Sequence, residues 1–406
     1  MTYTIEKVTT LIGARRYGDR DGNVGFILTD SRSLCFPEET LFFALKSERN
    51  DGHNYIPELY RRGVRNFVVS QVPKGYASDY PEANFLKVVN TLEALQRLAE
   101  RHRDEFNIPI VGITGSNGKT MVKEWLHQLL SPSMFVTRSP RSYNSQIGVP
   151  LSVWLLNEQT QVGVFEAGIS QPGEMLALRD IIQPTIAVLT YLGAAHQENF
   201  ESLEAKCREK IILFHDADTI VYNGDDKTVS GVVNEYKDYK GEKLFWSFRD
   251  TKAPFFVKNV EKKGNLSIIT YIYKGEEDSY SLPFIDEASV TNSIIAAVVS
   301  RRLGLSAEEL DKRMALLEPV AMRLEVKEGQ HGCTLINDSY NSDINSLDIA
   351  LDFMSRRPDH KGRRHTLILS DIFQSGESAK DLYHEVSDLC RKRGVVKFIG
   401  IGPQLC

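Results

Sequence analysis

The run from Val111 to Thr120, VGITGSNGKT, carries the strongest chemical signal in the chain. It follows an apolar stretch and precedes a segment in which Val122, Trp125, Leu126 and Leu129 recur at helical spacing, the strand-loop-helix setting of a phosphate-binding loop. Gly115 and Gly118 permit the tight curl, with Ser116 and Asn117 between them, that aims backbone N–H groups at phosphate oxygens. Lys119 supplies positive charge and Thr120 a hydroxyl for Mg²⁺. The common spacing asks for glycine at position 113, where this chain has Ile113 with Gly112 one residue earlier. A glycine-rich turn that binds nothing is the competing reading, and the adjoining GlyLysThr weighs against it. Glu166, closing the apolar run VGVFE, sits at a strand end, where open α/β sheets receive ligands. Alone, it is equally well explained as surface charge.

These residues need a sheet to present them, and the apolar pattern supplies one. From residue 91 to 316 the order is IPIVGIT, a helix to Leu130, VGVFEAG, TIAVLT, a helix to Phe214 and TIVYNGD, which predicts a mostly parallel sheet covered on both faces. Within that span LFWSF, APFFVKNVEKKGNLSIITYIYKG and SYSLPFI, with GlyAsn and GlyGlu turns, predict an added antiparallel ribbon. Residues 1–90 alternate short strands with helices as a smaller α/β unit. Residues 317–406 open with CTLINDSYN, continue through a helix and HTLILSD, and reach VVKFIGIG shortly before the end. A strand of that kind feeds a covering helix, so the third domain is expected to be incomplete and the chain cut short.

Composition removes whole classes of function. With 49 Lys and Arg against 54 Asp and Glu the net charge is −5, and no basic tract is present, which excludes duplex nucleic acid as the expected partner. No apolar run approaches the ~18 residues of a membrane span and the N-terminus lacks an apolar signal core, so a cytoplasmic location is expected. The 5 cysteines are widely spaced without a CxxC pair, which argues against a disulfide framework and a zinc knuckle alike.

The phosphate loop resembles the TGTxGKT signature of the Mur ligase family, ATP-dependent enzymes that build the peptide of bacterial cell-wall precursors, and the resemblance extends along nearly the whole chain. It implies an N-terminal UDP-muramoyl-binding domain over 1–90, a central ATP-binding domain over 91–316 and a Rossmann-like ligase domain over 317–406. TDSRSLCFPEETLFFALKSER looks like the family's uridine-nucleotide segment and implies substrate contacts at Ser31 and Arg32. SYNSQIGVP is similar to an NxxIGVP stretch that places Asn144 near substrate, and VFEAGISQPGEM makes Glu166 a Mg²⁺ ligand. TYLGAAHQENFESLEAKCREKIILF resembles the segment with a metal-binding histidine, His196, and a carbamylated lysine, Lys210. Lys206 lies one helical turn earlier, but Lys210 borders the apolar stripe of Leu203, Cys207, Ile211 and Phe214, where partial burial favours the neutral amine that reacts with carbon dioxide. By the same resemblance Asn292 in TNSIIAA contacts adenine, Arg323 reaches the γ-phosphate, and INDSYNSDINSL supplies Asp338 toward ATP with Tyr340 and Asn341 toward substrate. The chain departs from the family pattern at Tyr191, Ile344, Ser370 and Gln374; the last two are those of versions fused to an alanine racemase, which implies such a partner beyond residue 406.

Within the family, ALKSER, NSQIGVP and GAAHQENF match best the branch that adds D-alanyl-D-alanine to UDP-N-acetylmuramoyl-tripeptide. The implied catalytic set is Lys119, Glu166, His196, Lys210 and Arg323, with ATP, Mg²⁺ at Thr120, Glu166, His196 and Lys210, and bicarbonate for the carbamate. The competing readings are the branch adding the third peptide residue, whose diaminopimelate-gripping arginine motif is not evident, and a P-loop kinase or regulatory module without ligase activity.

Overall fold

Short apolar runs bounded by Asn, Gly and Pro become the strands of successive sheets, and amphipathic runs between them become the covering helices. The structure is a computed structural model that describes residues 1–406 apart from 49, 194–196, 238, 321–323, 340–342, 357–363, 373–377 and 406. In the N-terminal part, α1 (Ile5–Ile12) precedes β1 (Arg15–Tyr17), β2 (Phe26–Leu28), β3 (Thr40–Phe43), α2 (Ile56–Arg61), β4 (Asn66–Val69) and β5 (Asn84–Lys87). The sheet order is β1-β5-β4-β3-β2, parallel except for the β1–β5 pair.

Helix α3 (Thr91–Arg103) starts where the Asn90 side chain accepts the N–H groups of Leu92 and Glu93. Its Ala94, Leu95 and Leu98 join the N-terminal core while Ala99 joins the central one, so this helix fastens the two domains. At its far end a buried polar joint forms. Tyr3 Oη lies 2.8 Å from His102 Nδ1, His102 Nε2 lies 3.0 Å from the Leu156 carbonyl, and Trp154 Nε1 donates to the Gly25 carbonyl at 2.9 Å.

The central domain holds the predicted parallel sheet. Its elements are β6 (Ile110–Thr114), α4 (Lys119–Leu130), β7 (Val136–Arg138), α5 (Gly148–Val153), β8 (Val162–Glu166), α6 (Glu174–Ile182), β9 (Ile186–Leu189), α7 (Leu203–Ile211), β10 (Thr219–Val221) and β11 (Glu242–Lys243). The order β11-β10-β9-β6-β8-β7 is parallel throughout, and β6, β8 and β9 are buried along their length. The ribbon comprises β12 (Trp246–Ser247), β13 (Phe255–Lys263), β14 (Leu266–Tyr273) and β15 (Glu276–Leu282). Two antiparallel hairpins form as expected, through two-residue turns with φ +61° at Gly264 and +84° at Gly275. The first pair differs from expectation: β12 runs parallel to β13. Asp225 accepts from Ser247 Oγ at 2.6 Å and from Phe248 N at 2.7 Å, which ends β12 and leaves the chain to loop back before Phe255.

Helix α8 (Glu287–Arg302) is buried along nearly all its length beneath the ribbon and α4. The third domain contributes β16 (Glu325–Glu328), β17 (Thr334–Asn337), α9 (Ile344–Arg356), β18 (His365–Ser370), α10 (Ala379–Lys392) and β19 (Val395–Ile401). Strands β18 and β19 pair in parallel, and Leu347, Leu351, Leu369, Leu382 and Val386 form a separate core. Among the described residues no helix is long and apolar enough to cross a membrane.

Candidate active site

The fully buried strand β6 is central in its sheet, and its C-terminal end opens into the glycine loop. Gly115 has φ +145° and Gly118 φ +85°, conformations that disfavour any side chain. Space forbids one too: a Cβ on Gly115 would meet Thr190 Oγ1, and one on Gly118 would meet Asn292 Oδ1. The loop is clamped from the end of β9. Ser116 N donates to the Tyr191 carbonyl at 2.6 Å, Gly193 N to Ser116 Oγ at 2.9 Å, and Thr190 Oγ1 to the Asn117 carbonyl at 2.6 Å. A cavity of 500 Å³ lies over it, lined by residues 115–120, Asn144, Lys210, Asn292, Asp338 and Ser346.

Positive charge gathers at this loop. Lys119 Nζ donates to the carbonyls of Gly115 at 2.7 Å and Ser116 at 3.1 Å, and Lys210 Nζ reaches the same Gly115 carbonyl at 3.3 Å. Lys206 Nζ donates to the Gly193 carbonyl at 2.5 Å. Burial, with Lys119 and Lys206 as like charges nearby, holds the Lys210 amine well below the usual lysine range. Burial and the Lys119 charge bring Lys206 down to about 8.

Oxygen donors gather on the other flank. Thr120 Oγ1 stands 3.0 Å from Ser142 Oγ and donates to Glu166 Oε2 at 3.2 Å, which also receives Asn144 Nδ2 at 3.4 Å. Glu166 is completely buried, and its Oε1 has no aligned hydrogen bond although Lys123 Nζ stands 3.1 Å away. Hydroxyl and carboxylate oxygens with unspent acceptor capacity suit a hard divalent cation, so the residues present fit Mg²⁺. Among the described residues no three His, Cys, Asp or Glu side chains cluster as metal ligands.

The third domain closes one side. Asn117 Nδ2 donates to Ser346 Oγ at 2.8 Å and approaches Asp343 Oδ2 at 3.4 Å, while Asp343 caps α9 through Ser346 N at 2.9 Å. Asp338 faces the cavity and accepts from Leu324 N at 3.2 Å. A second cavity of 300 Å³ shares Asn117, Gly118 and Asn292 and adds Tyr191, Asp286 and Arg393.

Of the residues singled out from sequence, the structure brings together Gly115, Ser116, Asn117, Gly118, Lys119, Thr120, Asn144, Glu166, Lys210, Asn292 and Asp338. His196, Arg323, Tyr340, Asn341 and Gln374 lie outside the described residues. Ser31 and Arg32 stand elsewhere, on a 3₁₀ turn of the N-terminal domain: Ser31 is buried, and the exposed Arg32 pairs with Asp30 at 2.7 Å. Sequence reasoning missed Lys123, Ser142 and Asp343. Asp343 carried a usable signal as an Asp three residues before Ser346, a helix-capping arrangement.

Residues 113–300 match the Mur ligase middle domain. Over 368 residues the chain is 28% identical to the UDP-N-acetylmuramoyl-tripeptide--D-alanyl-D-alanine ligase of Bacillus subtilis (strain 168), covering 88% of this chain and 76% of that protein. Crystal structure I of MurF from Acinetobacter baumannii superposes with a TM-score of 0.86 at 22% identity, covering 100% of this chain and 86% of that one. MurF ligase from Thermotoga maritima in complex with ADP gives 0.76 at 22% identity, covering 93% and 88%. The middle-domain match, the long relatives and the shared fold point the same way: this chain is similar to the Mur ligases along nearly its whole length.

Proposed function

We propose that this chain is an ATP-dependent ligase that joins D-alanyl-D-alanine to UDP-N-acetylmuramoyl-tripeptide in peptidoglycan precursor synthesis, working in the cytoplasm. The observation that carries the reading is a cavity lined by the phosphate loop, Lys210 and residues of the third domain, with the buried Glu166 held against its wall by Thr120 and Asn144. Curated relatives with that printed name span most of the chain, which selects this branch of the family.

Joining a carboxylate to an amine in water is uphill, so the carboxylate must first take the γ-phosphoryl group of ATP. The resulting acyl phosphate is attacked by the amine of the dipeptide, and phosphate leaves from a tetrahedral intermediate. Loop N–H groups and Lys119 hold the phosphates and offset the repulsion between two anions brought into contact. Thr120, Ser142 and Glu166 would hold Mg²⁺, which when bound neutralises phosphate charge. Lys210 in its neutral form would add to carbon dioxide and release a proton, and the carbamate, with His196, would hold a second cation. Asn292 would bind adenine, Arg323 the γ-phosphate, and Asn144, Tyr340 and Asn341 the acceptor substrates, while Ser31 and Arg32 would hold the uridine nucleotide. The Asn117–Ser346 contact is the seam along which the third domain closes before chemistry. Ser370 and Gln374 are the ground for an alanine racemase as a fused partner.

The test combines the chain with ATP, Mg²⁺, bicarbonate, UDP-N-acetylmuramoyl-tripeptide and D-alanyl-D-alanine, and weighs the products. A UDP-muramoyl-pentapeptide formed with equal phosphate release supports the ligase. ATP hydrolysis without joining would leave the phosphate loop standing, discard this acceptor and make the third-residue branch the next assay.

A further inference from the structure

Lys123 is among the largest completely buried side chains of the molecule, and nothing in the ligase reading employs it. Taking an ammonium out of water costs several kcal/mol unless every donor is met. Here each is. Lys123 Nζ stands 3.1 Å from Glu166 Oε1 and 3.1 Å from Glu124 Oε1, and its third contact is the Arg141 carbonyl. These three oxygens enclose the ammonium, and Lys123 faces protein on all sides. Glu124 is held in turn by Arg138 Nε at 3.0 Å.

Those contacts tie together the three pieces that carry the oxygen donors. Helix α4 brings Thr120, strand β8 brings Glu166, and the connection from 139 to 145 brings Ser142 and Asn144. Arg141 in that connection has φ +48°, a left-handed conformation that a non-glycine residue holds only when its surroundings enforce it, and its carbonyl accepts from Lys123 Nζ. The two oxygens of Glu166 are thereby divided. Oε1 faces Lys123, while Oε2 faces Thr120 Oγ1 and Asn144 Nδ2 on the cavity side.

We propose that Lys123 is a positioning residue of the Mg²⁺–nucleotide site, pinning one oxygen of Glu166 and the Arg141 carbonyl so that the other oxygen of Glu166 is presented to the cation. The inference rests on the ligase reading only through the phosphate loop and its cation. It assigns Glu166 a one-oxygen contact and makes Lys123 necessary for metal affinity while leaving the loop's own grip on the nucleotide alone.

The experiment measures ADP binding by calorimetry in EDTA and across a Mg²⁺ titration, with urea stability recorded for each protein. Lys123→Met is expected to keep ADP affinity in EDTA while needing on the order of tenfold more Mg²⁺ for half-maximal tightening, the size typical when a metal ligand loses its supporting contact. Lys123→Arg, which keeps the charge, should recover part of that loss. The double variant Lys123→Met/Glu166→Gln buries no unpaired charge and decides the matter even should the single variant fail to fold: its Mg²⁺ midpoint should equal that of Glu166→Gln alone. A wild-type midpoint in Lys123→Met, an equal loss of ADP affinity in EDTA, or a double variant clearly worse than Glu166→Gln each overturns the proposal. Wild-type protein that binds no ADP overturns the ligase reading instead.

Discussion

Acid should loosen the joint between the first two domains through one side chain, His102. It is 1% exposed, with Nε2 against the Leu156 carbonyl and Nδ1 against the Tyr3 hydroxyl. The neutral ring satisfies both neighbours, donating to the carbonyl and accepting from the phenol. Burial brings its pKa from 6.5 down to about 4, outweighing the Leu156 contact, which acts the other way. Because the folded value lies below the unfolded one, the unfolded chain binds the proton more readily. Stability from this group is therefore complete above pH 6.5 and drains away as pH falls toward about 4. At ~1.4 kcal/mol per tenfold of proton affinity, the full interval is worth about 3 kcal/mol, of which about 2 kcal/mol is gone by pH 5. Urea unfolding read by tryptophan fluorescence suits the joint, since the Trp154 ring lies 4.6 Å from the His102 ring. The variant His102→Gln keeps an N–H donor but cannot titrate. The difference in stability between wild type and variant should shrink by about 2 kcal/mol from pH 7 to pH 5. Parallel acid limbs for the two proteins would refute the argument, as would a His102 ring that titrates near pH 6.5 in the folded chain.

At the site itself, Lys119→Ala should lose the stabilisation that ATP confers, about 2.7 kcal/mol at ligand a hundredfold above Kd, and an unchanged thermal shift would mean that the phosphates bind elsewhere. Gly118→Ala forces a methyl onto Asn292 at φ +85°; a loss of about 1–3 kcal/mol with weakened ATP binding is expected, and a neutral result in calorimetry and urea would contradict the loop geometry. Lys210→Ala should abolish ligation and recover in part when a short carboxylate is added to the buffer, whereas full activity without rescue removes the carbamate. Lys206→Met should keep the bicarbonate dependence of turnover, and its disappearance there would move the modified amine to Lys206.

The phosphate loop, the parallel sheet and the place of Glu166 at a strand end were legible because each is a local matter: apolar runs, two glycines and a following amphipathic helix lie within one stretch of chain. Lys123 was not legible. In MVKEWL it sits beside Glu124, a pair that reads as a solvated helix face, and its burial arises when the connection from 139 to 145 folds over it. The joint at His102 was hidden for the same reason, since Tyr3, His102 and Leu156 are far apart in sequence and meet through packing. Strand direction in the ribbon failed at β12 because direction there follows from Asp225 gripping Ser247 and Phe248, which no turn motif announces. Separation along the chain, rather than weak propensity, marks what sequence alone left out.

The two lysines of α7 show how far burial can separate neighbours of one type. Both amines are nearly inaccessible, at 1% for Lys206 and 2% for Lys210, and both feel the charge of Lys119. Lys206 has the nearer carbonyl, Gly193 at 2.5 Å, and Asp343 favours its charge, so it comes down only to about 8. Lys210 shares its carbonyl with Lys119 at a longer 3.3 Å and has Lys206 as a second like charge. The ammonium form is therefore least favoured at Lys210, which lines the cavity, whereas Lys206 is not among the lining residues. The proposed carbamate on that neutral amine would place an anionic oxygen beside the charges of Lys119 and Lys206, where a divalent cation can use it. The charge pattern at the loop thus favours the neutral amine at Lys210, the form that the proposed carbamate needs.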